Sequence, residues 1–248
     1  MNYNKSISKV PNLKNSQSRM KITICACSSR TFIDRAAVAK VAASAQLAGL
    51  EVTLVSDLCE LCENKSELVH EIAGTPIVAC HPRAVKSLMA FVGHSDIQSL
   101  NLRSLSADDV LNALGISSTD VSSEAIEEWM RQMEAMPQRL GEDAWYPVLD
   151  KDECAECGKC LEFCPFGVYE MVDDRIRVVH PQHCKNNCPA CARTCPAGAI
   201  IFPKYDRSPI NGGELQQESA IRLDTKELYS RAFRERLAAR TFKPIIRK

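Results

Sequence analysis

The stretch CAECGKCLEFCP, at residues 154–165, spaces its cysteines by two, two and three residues and ends in proline. The stretch CKNNCPACARTCP, at residues 184–196, repeats this order with one extra residue in its first gap. The sequence from each Cys-Pro pair onward is also alike, reading CPFGVYEMV in the first copy and CPAGAIIFP in the second. This internal repeat predicts two pseudo-symmetric halves.

The chain has 13 cysteines among 248 residues, which is far above average usage. In a small secreted protein such a number would indicate disulfides. Here the chain is long and its cysteines cluster at metal-ligand spacings, which favours bound metal. Zinc sites tolerate many spacings, but zinc gives no reason for two paired Cys-Pro runs.

The two runs resemble those of the two-cluster bacterial ferredoxins. This resemblance implies a ferredoxin-type α+β dicluster domain at residues 146–205, with two 4Fe–4S clusters that carry electrons. It also implies that the fourth cysteine of each run ligates the cluster of the other run. The first cluster would take Cys154, Cys157, Cys160 and Cys195. The second cluster would take Cys184, Cys188, Cys191 and Cys164.

Residues 21–93 alternate strand-like and helix-like patterns, which predicts an α/β domain of βαβ units with a parallel sheet. The predicted strands are residues 21–26, 51–55 and 75–80, and the predicted helices are residues 34–50, 65–74 and 82–93. Asp34 is suited to cap the first of these helices, and Pro82 to occupy the first position of the third.

Five further cysteines follow the three predicted strands: Cys25, Cys27, Cys59, Cys62 and Cys80. In an open parallel sheet, ligand sites form at the carboxyl ends of the strands. We therefore expect these cysteines to converge on one edge of the sheet.

The stretch that carries these cysteines resembles the N-terminal domain of the heterodisulfide reductase A subunit. The matching features are CAC at residues 25–27, a cysteine after the second strand and VACHPR at residues 78–83. The resemblance implies a third 4Fe–4S cluster. That family has one cysteine after the second strand and this chain has two, so the choice of four ligands among five stays open. Zinc and redox-active or structural thiols are the alternatives.

The remaining segments carry no recognised cofactor motif, and no GxGxxG fingerprint for flavin or nicotinamide is present in the sequence. Residues 94–145 are expected to form a helical connector, with helices at 106–115 and 124–136. The second helix has an apolar face that we expect to pack on its neighbours, made of Ile126, Trp129, Met130 and Met133. Residues 206–248 are expected to form a loop and a basic amphipathic helix that docks on a redox partner.

Composition and charge limit the partners and the cellular compartment that we expect for the protein. The formal net charge is zero, and no aromatic–basic pattern of an RNA binder is present in the sequence, so nucleic acid is not expected as a partner. No run approaches the roughly 20 apolar residues of a membrane span. Residues 1–20 are polar and lack the apolar stretch of a secretory signal, so we expect a disordered arm and a cytoplasmic protein.

The sequence thus predicts an iron–sulfur electron-transfer protein, a subunit of a larger hetero-oligomeric redox complex. No residue is predicted to be catalytic. Two alternatives stay open at this point. One is an oxidoreductase with a substrate site at the N-terminal cysteines, and the other is a redox-sensing interaction protein.

Overall fold

A four-stranded parallel sheet occupies the first half of the chain, with its strands in the order β2-β1-β3-β4. The strands are β1 (Lys21–Cys25), β2 (Glu51–Val55), β3 (Ile77–Ala79) and β4 (Ser99–Asn101). Strand β1 is buried after its first residue, because it pairs with β2 on one side and β3 on the other. The predicted parallel sheet is therefore confirmed.

The structure is a computed structural model, and it describes residues 20–215, except 31, 118–120, 138, 140 and 141. The predicted arm up to residue 19 and the predicted basic helix lie outside the described residues. The sheet and the cysteine-rich segment are parts of one compact unit that ends at Glu214. In the described part of the chain, no helix is long and apolar enough to cross a membrane.

The helices of the sheet layer are α1 (Arg35–Leu47), α2 (Leu58–Glu63), α3 (Leu68–Ile72) and α4 (Pro82–Phe91). The carboxylate of Asp34 accepts hydrogen bonds from the first backbone amides of α1, as the sequence predicted. Pro82 occupies the first turn of α4, where its missing N–H costs nothing. Helix α2 was not predicted, and it begins directly after Asp57.

Residues 94–145 differ from the expected purely helical connector, because they also contain β4, which extends the sheet by pairing with β3. The two predicted helices are present as α5 (Ala107–Ala113) and α6 (Ser123–Ala135). The apolar face of α6 packs on the core around α1, where Trp129 and Met133 are buried. The Trp129 indole N–H also donates to Gln46 Oε1 of α1 at 3.2 Å.

The cysteine-rich segment has short elements arranged in two similar halves. They are β5 (Val148–Leu149), α7 (Lys159–Phe163), β6 (Tyr169–Val172), β7 (Arg175–Val178), α8 (Ala190–Thr194) and β8 (Ile200–Ile201). Strand β5 pairs antiparallel with β8, and β6 pairs antiparallel with β7. Helices α7 and α8 each carry the third cysteine of a run and end at the fourth, Cys164 or Cys195.

Candidate metal centres

A first cavity is lined by three cysteines of the first run and one of the second. They are Cys154, Cys157, Cys160 and Cys195. The cavity lies where β5 and β8 pair, and this pairing brings the end of the second run beside the start of the first. The structure therefore brings together the four cysteines that the resemblance assigns to the first cluster.

The other four cysteines of the two runs also lie near one another. Burial, together with the nearby Cys191, Cys188 and Cys164, raises the pKa of Cys184 to about 12. Burial likewise raises the pKa of Cys191 to about 11, while a hydrogen bond from Tyr169 acts in the opposite direction. The Tyr169 hydroxyl lies 3.1 Å from Cys191 Sγ. Cys164 thus faces the three leading cysteines of the second run.

A second cavity lies at the carboxyl edge of the parallel sheet, and because it holds the third group of cysteines we call it the third, or N-terminal, cavity. Four of the five N-terminal cysteines line it: Cys25 at the end of β1, Cys27 in the next loop, Cys59 on α2 and Cys80 after β3. Cys62 does not line this cavity. It lies one helical turn beyond Cys59, is fully buried and packs in the apolar core.

The burial of the thiols at this third cavity disfavours free thiolates. Burial raises the pKa of Cys25 and Cys59 well above the ordinary value for a thiol, and that of Cys80 to about 12. Free thiols here would therefore stay protonated, whereas coordination to a metal deprotonates them outright. The Leu58 amide donates to Cys25 Sγ at 3.4 Å, so that sulfur is already an acceptor.

In the part of the chain that the structure describes, no three Cys, His, Asp or Glu side chains come close enough together to hold a single metal ion. Eight of the thiols instead line two cavities, four around each. Four sulfur donors spread around a cavity suit a polynuclear cluster better than a zinc ion, whose sulfur ligands lie only about 2.3 Å from the metal.

Comparison with known proteins identifies the cysteine-rich segment. A family profile described as a 4Fe–4S dicluster domain matches residues 146–196. Ferredoxin-3 of Nostoc sp. is 33% identical over 79 residues, which are 23% of this chain and 80% of that protein. The chain belongs to the ferredoxins with a 4Fe–4S dicluster domain. It therefore binds two 4Fe–4S clusters.

Two further relatives of this ferredoxin match over the same segment. An uncharacterized ferredoxin of Methanocaldococcus jannaschii is 44% identical over 61 residues, 24% of this chain and 42% of that protein. The pyruvate synthase subunit PorD of Methanothermobacter marburgensis is 41% identical over 54 residues, 22% of this chain and 60% of that subunit. The chain thus spans only about half the length of these two relatives, and the N-terminal sheet lies outside the residues that the family profile matches.

Sequence reasoning missed three charged residues at the third cavity of this ferredoxin: Asp57, Arg103 and Lys204. Asp57 accepts hydrogen bonds from the amides of Cys59 and Glu60, at 3.0 and 3.2 Å, and so caps α2. An aspartate just before the apolar LCELC stretch is a capping signal that could have revealed this helix. Arg103 and Lys204 lie in loops without any motif, so no local signal was available for them.

Arginines tie the sheet layer of this ferredoxin to its dicluster segment. Arg83, from the HPR motif at the start of α4, forms an ion pair with Asp150 and donates to the carbonyl of Gly198. Arg103 donates to the carbonyls of Pro203 and Tyr205, at 3.0 and 2.8 Å. Because both arginines bond to the dicluster segment, the third cavity is held against that segment.

Proposed function

We propose that this ferredoxin is an electron-transfer subunit with three 4Fe–4S clusters, two in the dicluster segment and one at the edge of the parallel sheet. The first set of ligands is Cys154, Cys157, Cys160 and Cys195. The second set is Cys164, Cys184, Cys188 and Cys191. The third set is Cys25, Cys27, Cys59 and Cys80.

The observation that carries the third site is its likeness to the first cavity. Each cavity is lined by four cysteines and by apolar side chains. In each, the ligands come from segments far apart in the chain. The dicluster cavity therefore serves as an internal reference for what a cluster site in this chain looks like.

The resemblance to the N-terminal domain of the heterodisulfide reductase A subunit supports the same assignment, because it implies a cluster at these cysteines. Cys62 is the one of these five cysteines to leave out, since the other four line the cavity and Cys62 does not. We therefore propose Cys25, Cys27, Cys59 and Cys80 as the four ligands of this cluster.

Electron transfer follows from the donor set. Clusters bound at these cysteines supply reversible uptake and release of single electrons. With four cysteines for each cluster, every iron has a protein ligand, and no position is left open for a substrate. The protein's part is to bury the sulfurs, exclude water and direct hydrogen bonds at them, as Tyr169 does at Cys191.

We further infer that the protein works as one subunit of a larger redox complex in the cytoplasm. PorD, a relative over the dicluster segment, is itself named as a subunit. Residues 222–248 hold nine Lys or Arg and three Asp or Glu, and this basic tail suits contact with an acidic partner surface. Thirteen cysteines without a disulfide among them suit a reducing compartment.

The test is the iron and acid-labile sulfide content of the full chain purified without oxygen, together with EPR of the dithionite-reduced protein. Three 4Fe–4S clusters give about twelve irons per chain. A content of about eight irons, with only two interacting signals, would confine electron transfer to the dicluster segment.

A further inference from the structure

Two residues of the dicluster segment complete the wall of the N-terminal cavity. Pro203 and Lys204 follow β8 and line the cavity together with Cys25, Cys27, Cys59 and Cys80. The Lys204 side chain is only 2% exposed. The guanidinium of Arg103 holds the carbonyls on either side of Lys204, those of Pro203 and Tyr205. The lysine is therefore fixed in place by the sheet layer.

The ammonium group of Lys204 joins two loops that carry cysteines. It donates to Asp57 Oδ2 at 2.6 Å and to Ser29 Oγ at 2.6 Å. Ser29 donates in turn to the same Asp57 oxygen, also at 2.6 Å. Asp57 caps the helix that bears Cys59, and Ser29 lies two residues after Cys27. One buried hydrogen-bonded group thus sets the positions of two of the four thiols.

Burying an ammonium ion is costly unless its charge is matched. The carboxylate of Asp57, 2.6 Å from the ammonium group, supplies a matching negative charge, and Asp143 Oδ1 lies 3.9 Å away. The buried lysine is therefore held as a cation by an ion pair. Four thiolates around a cluster would supply further negative charge beside it.

We propose that Lys204 is a positioning residue of the N-terminal cluster site, which holds the loops of Cys27 and Cys59 and whose positive charge raises the reduction potential of the cluster bound there. This proposal rests on the third cluster of the proposed function. A positive charge beside a cluster stabilises its reduced, more negative state. The dicluster segment thereby influences the potential of a site that lies outside it.

The test compares the wild-type chain with K204M, K204R, D57N and the double variant D57N/K204M, each purified without oxygen. Redox titrations followed by EPR give the midpoint potential of each cluster. K204M should shift the N-terminal cluster to a more negative potential, and D57N should shift it to a more positive one. The double variant and K204R should return it close to the wild-type value, and the dicluster potentials should not move.

The exposed ion pair of Lys21 and Glu51, at 3.0 Å, offers a matched control. K21M removes one lysine charge from the sheet layer far from any cysteine cavity, so it should leave all three potentials unchanged. If K204M instead fails to retain the N-terminal cluster, the iron content should fall by about one third while the dicluster EPR signals persist. That result supports the positioning role, provided that K204R restores the iron.

Other outcomes overturn the proposal. Shifts of the same sign in K204M and D57N would show that the lysine acts only through structure, and unshifted potentials in both would show that its charge has no effect. If the wild-type chain holds about twelve irons, either result refutes the proposed role of Lys204 but leaves the third cluster in place. A wild-type chain with about eight irons removes the third cluster itself, so the two failures are distinguishable.

Discussion

Lys204 Nζ lies 2.6 Å from Asp57 Oδ2, and the two side chains are 2% and 4% exposed. The residues are 147 positions apart, one in the dicluster segment and the other before the helix that carries Cys59. This buried ion pair, with Ser29 as a third member, joins the two cysteine-rich parts of the chain at the wall of the N-terminal cavity. The pair is therefore expected to contribute to the stability of the compact unit that contains both parts.

The stability of the pair gives the first prediction. Removing one partner of a buried pair leaves an uncompensated charge and typically costs about 3–5 kcal/mol. We expect K204M to lower the midpoint of anaerobic thermal unfolding by roughly 6–20 °C, since about 2–4 °C is lost per kcal/mol in a chain of this size. The double variant D57N/K204M leaves neither partner of the pair charged, so its unfolding midpoint should fall less. An equal fall of the midpoint in the single and double variants would contradict this prediction.

The second prediction distinguishes the roles of two cysteines on the same helix, α2. C59A removes a thiol that lines the N-terminal cavity, so the iron content should fall from about twelve to about eight per chain. C62A removes a thiol that packs in the apolar core, so about twelve irons should remain. Both variants delete one buried sulfur from α2, and each is therefore the control for the other. Iron loss in C62A with full iron in C59A would reverse the assignment.

Some elements of the fold could be predicted from the sequence and others could not. The apolar runs of β1 and β2 and the caps Asp34 and Pro82 are local signals, so the structure follows them closely. Strand β4 has only the residues SLN and shows no alternation, and it forms by pairing with the edge of β3. A short strand that depends on tertiary pairing cannot be predicted from its own sequence.

The site was predictable to a similar degree. That cysteines gather at the carboxyl edge of the sheet follows from the topology of parallel strands alone. Which cysteine is left out depends on the rotation of α2 about its axis, and this is set by the Asp57 cap and by packing of Cys62 in the core. Lys204 could not be found, because nothing local connects it to a site 147 residues away.

The crossing of ligands between the two runs gives the third prediction. If Cys164 serves the same cluster as Cys184, the double variant C164A/C184A loses one cluster and keeps about eight irons. The variant C164A/C154A then damages both dicluster sites and keeps about four, those of the N-terminal site. Uncrossed ligation predicts the opposite order. Iron analysis with spin quantification of the reduced proteins decides between the two patterns.

The last prediction concerns the hydrogen bond from the Tyr169 hydroxyl to Cys191 Sγ, at 3.1 Å. A donor to a ligating sulfur stabilises the more negative, reduced state, and hydrogen bonds to sulfur are among the factors that set cluster potentials. Y169F should therefore shift one dicluster potential to a more negative value without loss of iron. Y146F is the matched control, because the Tyr146 hydroxyl donates to the carbonyl of Cys59, at 2.7 Å, and not to a sulfur. The potentials are measured by EPR-monitored titration. If Y169F and the wild type give the same dicluster potentials, this hydrogen bond does not affect the cluster potential.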